Sequence, residues 1–462
     1  MEKTIKKQGI DMLNGSIWNK LPVFALPIAA TAILEQLFNA SDIAVVGNFT
    51  EQAQKTAAVA AVGANSPVIG LIVNLFVGIA LGTNVIIANA VGRDDKETIQ
   101  KTVSTSIIIS VIGGIIVAAI GELVAAPVLS SLNVPDDVFP LALLYLRIYL
   151  IGMPVILLYN FEAAIFRSVG DTKVPLAALA ISGVLNVLLN LFFVIVLKMN
   201  VNGVAIATVI SNAVSSAILF FKLLKTDKCI RIDIKNIRFS FSSFRRIIKI
   251  GLPAGIQSAV FSVSNIIIQS AVNSLGKVVM AASSAAFNIE IFAYYVFNSF
   301  SQACTTFVGQ NYGAGKINRC KKTLALSIVE DIIASAITIA LVLSAGRFLL
   351  SIFNQDPEVI ELGYYRLKVL FASYIFSLLY EIMSGYLRGF GISLTPAILT
   401  TIGICGIRIV WIQAVFPQSR TFQTIMTAYP ISLSATAVLI FIALLFCHPA
   451  KKYSEKKKSI GL

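Results

Sequence analysis

The sequence predicts an all-α integral membrane protein with twelve transmembrane helices in two pseudo-symmetric six-helix bundles that form parallel repeats. Three observations lead to this fold class. The chain of 462 residues is 57% hydrophobic and only 13% charged, whereas soluble domains average roughly 45–50% apolar and about 25% charged residues. It also contains twelve apolar runs of spanning length, and its two halves share one sequence pattern at a constant offset.

A helix needs about 20 mainly apolar residues to cross the hydrocarbon layer of a bilayer. Short polar breaks separate the twelve runs that meet this requirement. The predicted spans are residues 21–46, 57–81, 103–127, 139–166, 174–197, 202–224, 250–273, 278–302, 323–345, 359–387, 395–416 and 424–447. Bends are expected where helix breakers fall inside spans, at Pro27, Pro154, Pro253, Gly113-Gly114 and Gly403 to Gly406.

The second half of the chain repeats the first at an offset of 221 residues. The pattern from Leu158 to Pro175 recurs from Leu379 to Pro396, with Glu381 in the place of Asn160. Six spans per repeat return the chain to the same side of the membrane, so the repeats are parallel. In a chain this apolar, duplicated halves are typical of a transporter whose substrate site lies between them.

The repeat sets the predicted domains. Residues 1–224 form an N-lobe with helices 1 to 6, and residues 250–447 form a C-lobe with helices 7 to 12. Residues 225–249 are a cytoplasmic linker rich in Lys, Arg and Ser, and residues 448–462 are a basic cytoplasmic tail. The linker is long enough to run over the cytoplasmic surface.

The basic residues behind the net charge of +14 are unevenly distributed between the two sides of the membrane, and this distribution predicts the orientation of the protein. With the N-terminus inside, the inner segments hold 28 Lys and Arg residues and the outer loops hold five. The positive-inside rule therefore predicts a multi-pass protein of the cell (inner) membrane with both termini cytoplasmic. This distribution favours contact with anionic lipid headgroups of the bilayer and argues against nucleic acid as a partner.

Signals for enzymatic chemistry are lacking. The segment from Gly309 to Lys316 resembles a phosphate-binding loop, but it has the wrong spacing and Ile317 replaces the required hydroxyl. Five cysteines show no CxxC spacing, and the chain has one histidine, so neither a disulfide framework nor a certain metal site is predicted. We expect no catalytic residues and no cofactor.

The first predicted span carries polar residues at membrane depth. Glu35, Asn39 and Asp42 are spaced i, i+4 and i+7 and share one helix face. Two close carboxylates in a low-dielectric site repel, which raises a proton affinity or recruits a cation. We predict that Asp42 and Glu35 couple transport to a cation. The alternative is a structural hydrogen-bond network that holds helices together.

Neutral oxygens in the same repeat complete the predicted cation-coupling set. Asn160 lies on the fourth helix, Asn186 and Asn190 lie one turn apart on the fifth, and Thr208 lies on the sixth. Hard cations prefer carboxylate, carbonyl and hydroxyl oxygens. Asp42, Asn186 and Thr208 can therefore bind Na+, and the same groups suit a network that accepts H+. Glu162, near an inner helix end, is expected to be wetted.

In the second repeat we predict a substrate site at Glu381, Glu290, Tyr294 and Tyr380. The repeat places Glu381 where Asn160 lies in the first half. An acid with aromatic walls suits a small organic cation, through charge and cation-π attraction. The alternative is that the aromatic residues only pack between helices.

The run from Pro27 through Glu35-Gln36-Leu37-Phe38-Asn39-Ala40-Ser41-Asp42 to Gly47 resembles the first helix of the multidrug and toxic compound extrusion (MATE) family. Other landmarks of that family are matched by Arg167 to Lys173, Gly251-Leu252-Pro253 and Leu387-Arg388-Gly389. The resemblance covers essentially the whole chain. It implies two six-helix lobes, outward-open and inward-open states, and export driven by inward flow of Na+ or H+.

The chain resembles the DinF-type branch most. There Asp42 matches the essential N-lobe acid, and Asn160, Asn186 and Thr208 match polar partners around it. Asn190 stands where that branch often has a second acid, and no carboxylate follows Pro253 where NorM-type proteins have one. Glu35 is therefore the expected second carboxylate.

The expected function is a secondary active antiporter, acting as a monomer, that exports organic and cationic compounds in exchange for H+ or Na+. A close alternative is a flippase for lipid-linked precursors in the same superfamily, although such proteins often have additional helices or a cationic cavity. An alternative of another class is a membrane scaffold or a channel. A channel would more plausibly be a symmetric oligomer with a filter loop.

Overall fold

The computed structural model describes residues 9–50, 55–132, 134–447 and 449–450. Within these ranges the chain is helical and contains no β-strand. Eleven helices are long and apolar enough to cross a membrane, and two further helices, bent by 50° at a short break, together form a twelfth span. The predicted fold class is confirmed.

The helix bounds follow the predicted spans closely. In the first repeat the helices are α1 Lys20–Phe49, α2 Lys55–Gly92, α3 Lys96–Ser131, α4 Phe139–Ile151, α5 Met153–Ser168, α6 Lys173–Leu191 and α7 Val201–Lys225. In the second they are α8 Phe241–Asn273, α9 Lys277–Gly313, α10 Ile317–Phe353, α11 Pro357–Gly389, α12 Leu394–Thr400, α13 Ile407–Val410 and α14 Phe422–Cys447. Single π-helical turns extend α6 (Phe192–Val196) and join α12 to α13 (Thr401–Gly406).

Several helices are longer than the apolar runs that predicted them. The helix α2 continues to Gly92, α9 continues to Gly313, and α8 begins at Phe241, inside the predicted linker. Hydropathy detects only the part of a helix that lies at hydrocarbon depth, whereas backbone hydrogen bonding continues into the polar ends.

The sequence repeat is also a repeat of backbone geometry. The turn after α2 has Asp94 at φ 56°, and the turn after α9 has Gly315 at φ 70°. The amide of Asp95 donates to the carbonyl of Ala90 at 2.9 Å, as Lys316 does to Asn311 at 2.8 Å. Both turns close their helix with a left-handed residue, one glycine and one aspartate, a residue that tolerates this region comparatively well.

The fourth span is broken at Gly152, where α4 meets α5 at 50°. Pro154 lies in the first turn of α5, where a proline costs no helical hydrogen bond. A Cβ on Gly114 of α3 would lie 2.4 Å from the Cα of Pro154. Glycine at this position therefore permits the backbones of α3 and α5 to touch at the break.

The described residues form two compact units. The first contains the residues up to Ile10 and Ala30–Leu252, and the second contains Asp11–Ala29 and the residues from Pro253 onward. The predicted lobe boundary lay at residues 225–249 instead. The division falls close to Pro27 within α1 and at Pro253 within α8, so each of these two helices is shared between the units.

In the second unit, the chain before α1 is held by side chains from the last turn of α9 and the first turn of α10. Asn311 donates to the carbonyl of Met12 at 3.1 Å, and Arg319 donates to the carbonyls of Met12 and Gly15 at 3.0 Å each. Met12 is fully buried. The segment before α1, which the sequence pattern assigns to the N-lobe, therefore packs within the second unit.

The predicted linker packs against the first unit. Ile230 and Ile232 are buried beside α3 and α7, and Gln100 of α3 donates to the carbonyl of Cys229 at 2.7 Å. Burial raises the pKa of the Cys229 thiol, which keeps it a poor nucleophile. Of the predicted tail, only residues 449–450 lie within the described residues.

Replacing Gly114 with Ala is expected to destabilise the first unit. The added methyl group would meet the backbone of Pro154, which cannot rotate away as a side chain can. Overpacking of this kind costs about 1–3 kcal/mol. The measurement is the thermal unfolding midpoint of the purified protein in detergent, which should fall.

Gly113→Ala is the matched control. Its methyl group meets only the ring edge of Phe76 at 3.0 Å, and it brings the same gain in helix propensity, about 1 kcal/mol. The midpoint of this variant should equal or exceed that of the wild type. Equal stability of the two variants would contradict the close backbone contact assigned to Gly114.

Candidate functional site

The carboxylate of Asp42 lies at the centre of a buried polar cluster in the first unit. The side chain of Asp42 is 3% exposed. Its Oδ1 accepts a hydrogen bond from the amide of Asn190 at 2.6 Å, and its Oδ2 accepts one from the hydroxyl of Thr208 at 2.9 Å. Among the described residues no ion pair joins Asp42 to a basic side chain. Neutral donors alone therefore hold this charge.

Two adjacent helices supply these donors. Asn186 and Asn190 lie one turn apart on α6, Thr208 lies on α7, and the two helices pack side by side. Asn190 also donates to Asn186 Oδ1 at 3.2 Å, and Asn186 donates to Thr208 Oγ1 at 3.3 Å. The three side chains thus form one connected network around the carboxylate.

A glycine brings the helix that carries Asp42 close to this network. A Cβ on Gly183 of α6 would lie 1.5 Å from Cζ of Phe38, so the Phe38 ring occupies the space that a side chain would fill. Phe38 and Asp42 lie one turn apart on α1, and Gly183 lies one turn before Asn186 on α6. The close approach at Gly183 therefore positions Asp42 opposite the two asparagines.

Two atoms of the network can form hydrogen bonds other than those they form here. The Thr208 hydroxyl has one proton, yet its oxygen lies within hydrogen-bonding distance of both Asp42 Oδ2 and the Val204 carbonyl, the latter at 3.0 Å. The Oδ1 of Asn190 is buried and has no hydrogen-bond partner. The cluster can therefore rearrange its hydrogen bonds or accept an additional positive group.

Three residues of the predicted set lie outside this network. Glu35 and Asn39 have exposed side chains on α1, and neither belongs to the hydrogen-bond network of Asp42 within the described residues. Asn160 donates to the carbonyl of Ile156 in its own helix at 2.9 Å. Glu35 interacts electrostatically with Arg167 instead. The structure thus groups Asp42 with Asn186, Asn190 and Thr208.

Two tyrosines near Asp42 were not predicted. Tyr145 and Tyr149 lie one turn apart on α4 with ring centroids 6.3 Å apart, and both interact electrostatically with Asp42. In the sequence they look like ordinary packing aromatics of an apolar helix. Glu162, expected to be wetted, is instead fully buried and accepts a hydrogen bond from Ser216 at 2.9 Å, so that expectation is wrong.

In the second unit, three of the four predicted substrate residues lie together. Glu381 of α11 is 7% exposed and interacts with the hydroxyls of Tyr380 and Tyr294 and with the charge of Arg388. The helices that carry these residues, α9 and α11, pack against each other. A carboxylate beside two aromatic rings is the arrangement that the sequence suggested for an organic cation.

The fourth predicted residue, Glu290, has a different environment. Its carboxylate accepts hydrogen bonds from Arg366 at 3.0 Å and from Tyr374 at 2.9 Å. Arg366 is 3% exposed and also donates to Ser283 at 2.6 Å. A buried guanidinium already neutralises Glu290, so an incoming cation would have to displace Arg366.

A second buried arginine lies near this ion pair. Arg408 is 2% exposed and donates to Ser432 at 3.1 Å. Its guanidinium lies 4.3 Å from the centre of the Tyr429 ring, and that of Arg366 lies 5.7 Å from the same ring. The sequence placed both arginines within spans but gave no sign that they would share one tyrosine.

Comparisons with known proteins agree with this architecture. A model of the MatE family matches residues 27–192 and, a second time, residues 253–412. The probable multidrug resistance protein YoeA of Bacillus subtilis is 24% identical over 438 residues, which are 92% of this chain and 93% of that protein. The two family matches fall one in each repeat.

Solved structures share the fold at low sequence identity. An outward-facing multidrug resistance MATE family transporter of the MOP superfamily has a TM-score of 0.86 and 21% identity, over 98% of this chain and 99% of that chain. A second structure is that of a MOP superfamily transporter from Pyrococcus furiosus, and its binding pocket of reverse polarity is described as suggesting a different function. It has a TM-score of 0.87 and 21% identity, over 97% of this chain and 98% of that chain. Because the family model accounts for most of both repeats, the chain belongs to the multidrug and toxic compound extrusion (MATE) family of membrane transporters.

Proposed function

We propose that this protein is a secondary active efflux antiporter that exports organic, cationic compounds in exchange for H+ or Na+. Its relatives include proteins named for multidrug resistance and multidrug export. The observation that carries the proposal is the carboxylate of Asp42, which is buried, is hydrogen-bonded to neutral donors and has no basic partner within the described part of the chain. Such a charge at membrane depth is costly unless a cation binds it.

The hydrogen bonds of Thr208 suit a proton as the coupling ion. When Asp42 is ionised, the single hydroxyl proton of Thr208 is donated to Oδ2. When Asp42 is protonated on Oδ2, it can donate to Thr208 Oγ1, and Thr208 can then donate to the Val204 carbonyl 3.0 Å away. Both states leave the hydroxyl satisfied, so the proton can bind and leave without unpaired donors.

The unpartnered Oδ1 of Asn190 suits Na+ instead. Na+ prefers hard oxygen ligands, and the cluster offers oxygens from Asp42, Asn186, Asn190 and Thr208. Binding Na+ at Asn190 Oδ1 would satisfy a buried acceptor that has no hydrogen bond. Both ions remain part of the proposal, and no cofactor takes part.

The proposed substrate contacts are Glu381, Tyr294 and Tyr380. The carboxylate attracts a positive group, and the rings offer cation-π contacts. Glu290, paired with Arg366, orders the helices around the site in this proposal and does not bind the substrate directly. Ion and substrate must disfavour each other's binding, since linkage between the two sites is reciprocal.

The remaining features of the proposal follow the charge distribution and the sequence pattern. We place both termini on the cytoplasmic side of the cell membrane because the basic residues concentrate there. We also propose that the protein acts as a monomer and that it belongs to the DinF-type branch, whose N-lobe acid corresponds to Asp42.

A flippase for anionic lipid-linked precursors is the second candidate. Arg366 and Arg408 are both buried beside Tyr429, and a cationic cluster can attract phosphate. Glu290 reduces its net charge, so we favour the antiporter.

Asp42→Asn is expected to abolish gradient-driven efflux, because the neutral amide cannot exchange a cation. The measurement is ethidium accumulation in cells that express the protein, with and without an ionophore. Membrane insertion should be normal by surface labelling and detergent gel filtration. Asp136→Asn, the same change at an exposed loop residue, is the control. Unchanged efflux in Asp42→Asn would remove the coupling proposal.

Thr208→Val is expected to impair coupling, because it removes a hydrogen bond to the ionised Asp42 worth about 1.5–3 kcal/mol, or roughly tenfold or more in ion affinity. Loss of this donor makes Asp42 bind H+ more tightly and release it less readily, whereas Na+ loses an oxygen ligand and binds less tightly. Thr208→Ser retains the hydroxyl and should behave as wild type. Transport is measured in vesicles under separately imposed Na+ and pH gradients, which also identifies the ion. Identical ion dependence in Thr208→Val and wild type would contradict a role for this hydroxyl.

Glu381→Gln is expected to weaken binding of cationic substrates more than binding of neutral ones, because only the cations lose a charge interaction. Fluorescence titration of purified protein with ethidium and with an uncharged dye measures the difference. Glu361→Gln, on the same helix but exposed and paired with Arg347, is the control. An equal loss for both dyes would indicate a structural role for Glu381.

A further inference from the structure

Asp331 of α10 is a buried carboxylate that takes no part in the sites described above. Its side chain is fully buried. Its Oδ1 accepts a hydrogen bond from Ser335 at 3.2 Å, and its Oδ2 has no hydrogen-bond partner. Among the described residues no ion pair includes Asp331. An ionised carboxylate in this environment is strongly unfavourable unless it is neutralised.

The first repeat shows that the fold does not need a charge at this position. At the offset of 221 residues, Ser110 of α3 corresponds to Asp331. Ser110 is also fully buried, and its hydroxyl donates to the carbonyl of Ile107 in its own helix at 2.8 Å. A small neutral side chain is sufficient there. We therefore expect Asp331→Ser to be compatible with the fold, because the first repeat has serine at the equivalent position.

Asp331 belongs to a polar stripe on one face of α10. Thr323, Ser327, Asp331 and Ser335 follow one another at every fourth residue, and all are buried. The hydroxyl of Ser327, one turn before Asp331, faces the thiol of Cys304 on α9. The stripe begins near the start of α10, next to the basic turn at Lys316, and ends at Ser335, one turn beyond the carboxylate. It gives Asp331 a polar surrounding in an otherwise apolar helix.

The helices packed against α10 are α9 and α11. The titratable group that faces Asp331 from α11 is Glu381, and the two carboxylates interact electrostatically. From α9, Cys304 faces the stripe at Ser327. Next to Asp331 on α10, Glu330 is buried with both oxygens unpartnered. Arg388 interacts with Glu381, so part of the charge of Glu381 is already balanced.

We propose that Asp331 is a proton-binding site of the second repeat, linked by charge to the substrate-binding carboxylate Glu381. One proton from water binds Oδ2 and gives a neutral carboxyl, and the same proton returns to water when the site ionises. A proton fits better than a metal ion, since among the described residues Asp331 has a hydrogen bond only from the Ser335 hydroxyl, whereas a hard cation requires several oxygen ligands.

The link to Glu381 gives the site a function. A proton on Asp331 removes one negative charge near Glu381, so an organic cation binds Glu381 less strongly. Binding of the cation to Glu381 in turn lowers the proton affinity of Asp331, so the proton is released. Ligand and proton thus oppose each other within the second unit. This consequence for export rests on the proposed antiport function, whereas proton binding to Asp331 does not.

The test measures proton release when ethidium binds to the purified full-length protein in weakly buffered detergent solution. All proteins carry Asp42→Asn, so that the first repeat does not contribute. We expect the protein with Asp42→Asn alone, the parent, to release protons when ethidium binds. This release should be lost when Asp331→Ser or Asp331→Asn is added. The pH dependence of ethidium affinity should flatten in both variants, with a change of about fivefold or more at the acidic end. Glu361→Gln should release protons as the parent does.

Proton release that persists in both Asp331 variants would overturn the inference. A readout without substrate uses infrared spectra of the carboxyl C=O stretch: the band of protonated, buried carboxyl groups should lose the contribution of one carboxyl in both variants relative to the Asp42→Asn parent. An identical band in all three proteins would equally overturn it. Asp331→Asn retains the size of the side chain if Asp331→Ser fails to fold. Failure of the antiport proposal is separate, because it would appear as gradient-driven efflux by Asp42→Asn alone.

Discussion

The high free energy of an unpartnered carboxylate in hydrocarbon is the constraint on which the polar interior of this protein depends. The chain meets it in two ways. In the first unit the hydrogen bonds that Asp42 receives from the described residues come from neutral groups, Asn190 and Thr208. In the second unit Glu290 is paired with the guanidinium of Arg366. Neutral donors leave a net negative charge that an exchangeable cation can bind, whereas a guanidinium neutralises the charge permanently.

Duplication preserved the backbone and allowed the buried side chains to diverge. The left-handed turns at Asp94 and Gly315 close α2 and α9 in the same way. At one pair of equivalent buried positions, however, the first repeat has Ser110 and the second has Asp331. Turn geometry depends on a few residues at helix ends, so a fold can persist while its interior acquires new chemistry. The two repeats therefore share a fold but not a set of polar sites.

The helix α1 connects this chemistry to both units. Its residues from Ala30 onward, including Asp42, belong to the first unit, and Lys20–Ala29 belong to the second. Pro27 lies close to the division, and Pro253 marks the corresponding division in α8. A proline removes one backbone hydrogen bond and weakens a helix locally. A rearrangement around Asp42 would therefore move a helix whose first residues belong to the second unit.

The sequence by itself determined the twelve spans, the repeat and the family. Apolar length, charge placement and residue spacing are local properties of the sequence, and the first two decide how a segment lies in a bilayer. It also identified Asp42, since an acid within a span has few explanations. Only the tertiary structure decided that Asn190 and Thr208 bond to Asp42 while Glu35 is exposed and outside this network, and that Arg366 neutralises Glu290. These pairings join residues far apart in the chain, and their geometry depends on close helix contacts such as that at Gly183, which periodicity along one helix cannot specify.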